Sequence, residues 1–131
     1  MGTILTIHRV FGEMVLPLLT IIAAIALTVM WKPDAPRSPI ARFFPILVDI
    51  QATLGILWFL FLLINGDGAR LLSFPLILHP ILGLVAAGVG HMAVGKGPFA
   101  RFGRWAPLAG LGVLFVLILA NVLIALSAKT A

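Results

Sequence analysis

The chain has 131 residues, 62% of them hydrophobic and only 10% charged. A soluble domain is nearer half apolar and a quarter charged, so this composition points to an integral membrane protein whose first partner is the lipid bilayer. Nine Lys and Arg against four acids fall mostly between the apolar stretches, which makes them a topology signal and not a nucleic-acid surface; with no cysteine, disulfides, thiolate metal sites and cysteine-held iron–sulfur clusters are excluded.

Four apolar segments, each near the ~20 residues that span a bilayer, are predicted over 4–31, 43–64, 74–94 and 106–126. The first carries His8, Arg9 and Glu13 in its opening third. It has no basic leader or small-residue cleavage pattern, so it is not expected to be a removable signal peptide. The link 32–42 contains Pro33, Pro36 and Pro39 and should not continue a helix. The second segment contains Asp49 and Gln51 and ends on Asn65-Gly66-Asp67-Gly68, a turn signal. The third contains His79-Pro80 and His91, followed by a basic, glycine-containing loop over 95–104. The fourth contains Asn121. Short connections favour up-down order. The predicted fold is therefore all-α, a single antiparallel four-helix transmembrane bundle over residues 1–131.

Charge sets the expected orientation. The first and third loops hold Lys32, Arg37, Arg42, Lys96, Arg101 and Arg104, while the other side holds Arg9, Arg70 and Lys129. The positive-inside rule puts those two loops in the cytoplasm and both termini outside, with Trp31 and Trp105 at the inner interface. The polar residues then sort by depth. His8, His79 and Asn121 share the outer half; Asp49, Gln51 and His91 form an inner group. An ionisable residue inside a membrane segment is a functional candidate unless it finds a partner.

The spacing of His79 and His91 carries the second ring roughly 120° around the helix and roughly 18 Å along it, so the two cannot hold one metal ion. His8 and His91 enter from opposite faces. Only His8 with His79 can form a bis-imidazole site, with helix one facing helix three across the bundle. Below His79, the residues Gly83, Ala86 and Gly90 fall within about 40° of its direction, and Gly12 lies one turn below His8. Such a stripe leaves a groove for a flat macrocycle; it is also how membrane helices pack closely, as in Gly83-x-x-x-Ala87.

Each polar residue has a plainer alternative. His8 can be an interfacial residue beside headgroups. His79 can lie in a turn kinked by Pro80, which frees the carbonyl of Leu76. His91 can be a metal ligand at a second site, a quinone contact or an interfacial residue. Arg9 and Glu13 form an i,i+4 pair, although Arg9 could instead meet a haem propionate. Asp49 should find a partner, by depth His91 or Arg42; an Asp–His contact either orients a ligating imidazole or passes protons. Gln51 points about 200° away from Asp49 around the helix, so the two should meet different helices. Asn121 reads as interhelical glue. No Ser–His–Asp motif, phosphate loop or paired carboxylates point to a stand-alone enzyme. Polar residues are too sparse to line a channel.

His8, the Asp49-Ile50-Gln51-Ala52-Thr53-Leu54-Gly55 run, and His79-Pro80 followed by His91 together resemble small bacterial four-helix membrane proteins of the cytochrome b-like kind. Leu78 stands where that family carries a glutamate. The resemblance covers nearly the whole chain. It implies a b-type haem, one or two, held without covalent attachment in the bacterial cytoplasmic membrane. On this reading His8 and His79 are axial ligands, and Arg9, Gly12, Gly83 and Ala86 border the macrocycle. Asp49, Gln51 and His91 form an inner quinone or proton site. The expected role is electron transfer, with redox partners or other membrane subunits alongside, or a second copy of the chain. The alternatives are a structural accessory subunit of a larger respiratory or photosynthetic complex, ligating a pigment through one histidine, and a proton-coupled carrier using Asp49 and His91.

Overall fold

The computed structural model describes residues 2–66, 68–74, 76–94 and 97–130, the last three by backbone alone. Asp67 of the expected turn, Gly95 and Lys96 of the expected basic loop, and the side chain of Lys129 lie outside the described residues. Those described form helices and connecting turns, with no strand among them. The longer helices are α1 (Gly2–Val29), α2 (Pro39–Ile64), α3 (Leu78–Ala93) and α4 (Ala106–Thr130). A four-residue helical turn, Gly68–Leu71, lies between α2 and α3, and a 3₁₀ segment, Pro98–Trp105, leads into α4.

Three segments are long and apolar enough to cross a bilayer: Gly2–Val29, Pro39–Ile64 and Pro98–Ser127. The 16 residues of α3 rise only about 24 Å against a hydrocarbon core of about 30 Å. The third segment is thus shorter than the expected 74–94. Pro80 explains the late start. It has no amide to give to the carbonyl of Leu76, which instead accepts the amide of His79 at 3.1 Å. Regular helix begins at Leu78 and Pro80 sits in its first turn, where a missing amide breaks no intrahelical bond. The alternative of a kinked turn at His79 gives way to a helix start, while the hydrogen bond of its side chain to backbone is present, to the carbonyl of Asn121.

The opposite correction applies to α2, which begins before residue 43. Ser38 caps it, its Oγ accepting from the amide of Ala41 at 3.2 Å, and Pro39 occupies the first helical position. A proline there is pre-shaped for helix entry, so Pro39 opens a helix where it was expected to exclude one. At the other end Gly66 takes a φ of 98°, the left-handed conformation that stops a helix. Within α1, residues Phe11–Val15 form a π turn, with the amide of Leu16 reaching back to the carbonyl of Phe11. Pro17, which follows, cannot donate to Glu13 and so does not restore α-helical bonding there.

The main helix contacts form a ring: α1 packs on α2 and α4, and α3 packs on the same two. The buried core fills the end of the molecule where α2 and α4 begin. There Leu111 and Leu114 of α4 are fully buried against Leu16, Phe44, Val48, Val89 and Ala93. Gly110 permits the closest crossing, since a Cβ on it would lie 2.8 Å from the Cα of Ala93; small residues let membrane helices approach in this way. Gly90 serves the same purpose against Val48.

Candidate functional site

The opposite end, where α1 and α3 begin, holds an open-mouthed cavity of about 440 Å³, a size usual for ligand and cofactor sites. His8 of α1 and His79 of α3 both line it. Their ring centroids are 6.0 Å apart and their planes cross at 87°. The helices that carry them are not principal packing partners; the rings meet across the cavity.

His8 is held by α2. Its ring lies on Gly55, where a Cβ would come within 2.8 Å of Cε1. Its backbone carbonyl accepts a hydrogen bond from Nε2 of Gln51 at 2.8 Å. Gln51 in turn lies directly on Gly12, where any Cβ would collide with its amide nitrogen. Two glycines and one glutamine therefore fix the height and rotation of His8.

His79 is held by α4. Its Nδ1 lies 3.2 Å from the carbonyl oxygen of Asn121. A carbonyl only accepts, so in this contact Nδ1–H donates and Nε2 keeps its lone pair. That tautomer, oriented through a backbone carbonyl, is the one ligating histidines adopt.

Three buried polar atoms have no partner among the described residues: Nδ1 of His8, Oε1 of Gln51 and Oδ1 of Asn121. All three residues line this cavity. Buried polar groups are nearly always satisfied, so three orphans around one space mark a place built for a ligand or ordered water. Two imidazoles on one iron, each nitrogen ~2 Å from the metal, put their ring centroids roughly 6 Å apart. The observed centroid separation lies near that value; an edge-to-face ring contact falls in the same range. Gly12, Gly55, Gly83 and Ala86 line the same cavity, with Gln51 seated on Gly12, the His8 ring on Gly55 and the Asn121 amide beside Gly83. Two imidazoles meeting across a cavity lined by small residues are donors of the kind an iron macrocycle takes.

The remaining candidates divide cleanly. Arg9 lines the cavity and pairs with Glu13 at 3.7 Å. Gly83 lines it too, with the side-chain amide of Asn121 3.6 Å from where its Cβ would be. Asp49 and His91 do not line it. They meet each other instead, Oδ2 to Nε2 at 2.8 Å, with 44% and 56% of their side chains exposed. Of the two partners expected for Asp49, His91 is the one it contacts in that pair. Asp49 reaches α3 while Gln51 reaches α1, as their separation around α2 requires. Among the described residues no three of His, Asp and Glu gather into a metal site, so a metal held here needs ligands beyond these side chains.

Sequence reasoning missed the roles of two participants. Gly55 carries the ring of His8; the sequence offered it only as the last residue of the Asp49–Gly55 run, one turn beyond Gln51, with no role attached. Arg70 lines the cavity from the turn Gly68–Leu71; as a loop cation it gave no signal of a site. No protein-family model, curated protein or solved structure matches this chain, so its function has to be read from the cavity itself.

Proposed function

We propose that the chain is a b-type cytochrome-like electron-transfer protein or subunit of the bacterial cytoplasmic membrane, holding one haem between α1 and α3. The observation that carries this reading is the His8–His79 pair, 6.0 Å apart across the cavity with a buried imidazole nitrogen lacking a partner. The four longer helices would span the bilayer as an antiparallel bundle. By the positive-inside rule, Lys32, Arg37, Arg42, Lys96, Arg101 and Arg104, in or beside the first and third loops, would put those loops in the cytoplasm and both termini outside.

When bound, the haem supplies one-electron chemistry at its iron. The protein supplies the rest. His8 and His79 would hold the haem through their imidazoles. The carbonyl of Asn121 fixes the His79 ring and its tautomer, which raises its basicity as a ligand. Gln51 anchors the backbone of His8. Leu16, Val48 and Ile118, all buried at the cavity floor, exclude water and so help set the potential. The test is a reduced-minus-oxidised absorption spectrum of the purified protein. We expect b-type bands, abolished in His79→Ala; a wild-type preparation without them would remove the proposal.

A second reading, an accessory subunit of a larger respiratory or photosynthetic complex, is favoured by one observation. The Asp49–His91 pair lies half exposed on the outside of α2 and α3, where a neighbouring subunit could cover it. That reading predicts co-purification with larger partners at fixed stoichiometry, and no redox-active haem in the isolated chain.

A further inference from the structure

The two ends of the cavity differ in chemistry. Toward the core its floor is made by Leu16, Val48, Ala86 and Ile118, all buried. At the opposite rim, where α1 begins and α2 has just ended, two guanidinium-bearing side chains line it: Arg9 and Arg70. Both are exposed on their outer side. Glu13, also lining the cavity, is tied to Arg9 at 3.7 Å, which leaves the described rim with a net positive balance. Two arginines from separate segments flank one rim of a cavity whose far end is apolar. That arrangement suits a ligand with an apolar body and acidic groups at one edge, because the planar guanidinium matches a carboxylate better than any other side chain.

We propose that Arg9 and Arg70 form a carboxylate clamp that orients the ligand, acidic edge outward and apolar edge on the floor. The inference rests on the haem reading, since haem b carries two propionates on one edge. It adds that Arg70, on a connection between helices, is a binding residue, and that the clamp selects the dianionic pigment over an uncharged one. Arg9 divides its charge between Glu13 and the ligand, whereas Arg70 lies on a different segment from that pair.

The test titrates the full-length protein, purified without haem in detergent, with haem and with haem dimethyl ester, in which both carboxylates are masked. Soret absorption reports each affinity. The wild type should bind haem roughly tenfold or more tightly than the ester. Arg70→Gln should weaken haem binding roughly fivefold and leave ester binding unchanged, while Arg9→Gln/Arg70→Gln should erase the preference. Bis-imidazole spectra in every variant would show that the ligands are intact. Equal affinity of the wild type for the two pigments, or an unchanged ratio in Arg70→Gln, overturns the clamp and leaves the haem site standing. Binding of neither pigment overturns both.

Discussion

His79 and His91 sit on the same helix and meet opposite fates. His79 lines the cavity, donates its Nδ1–H to a backbone carbonyl and keeps its other nitrogen available. His91 lies half exposed with its Nε2 engaged by a carboxylate. One site is lined by orphaned buried polar atoms; the other is a satisfied pair. An imidazole in a membrane helix is therefore not diagnostic by itself. What separates a ligand-type histidine from a structural one is which nitrogen its protein partners leave unoccupied, and what space that nitrogen faces.

Substitutions should separate the two ends in graded fashion. The largest effect is expected at His79, where replacement by Ala should remove the haem bands altogether while His91→Ala leaves them in place. Equal loss in both variants would contradict the contrast. Next comes Gly55→Leu, whose side chain must displace the His8 ring. Disturbing a ligand's support costs roughly 10–100-fold in affinity, measurable by haem titration; Gly88→Leu, where nothing lies within 4 Å, is the matched control. Gly110→Leu should push α4 off Ala93 and lower stability in detergent by about 1–3 kcal/mol, read by thermal unfolding. Smallest of all on the haem spectra, Asp49→Asn removes the partner of His91 away from the cavity and should leave the bands unchanged.

Composition made the membrane environment and the apolar segments legible, because bilayer thickness imposes segment length directly. Sorting polar residues by depth put His8 near His79 and Asp49 against His91, but it misplaced Gln51: expected in the inner group with Asp49 and His91, its long side chain instead lies on Gly12 and bonds the carbonyl of His8 in the outer cavity. The late start of α3 was not legible, since Pro80 can kink a helix or open one, and the choice depends on whether Leu76 finds another donor. Pro39 posed the same ambiguity, resolved by the Ser38 cap. The π turn at Phe11–Val15 and the roles of Gly55 and Arg70 were beyond reach for a common reason. Each depends on what a neighbouring segment places opposite, and no periodicity within one helix records that. Of the small-residue stripe, Gly83 and Ala86 border the cavity while Gly90 packs on Val48. Both uses suggested by the sequence occur in one helix, divided by depth.

The central claim is the proposal that His8 and His79 would together hold one haem iron through their imidazoles, whose ring planes cross at 87° in the structure. Electron paramagnetic resonance of the oxidised, purified protein addresses it most directly. A low-spin ferric signal of strongly anisotropic form, as crossed imidazole planes produce, is the result we predict. A high-spin ferric signal, or no haem iron at all, would contradict it.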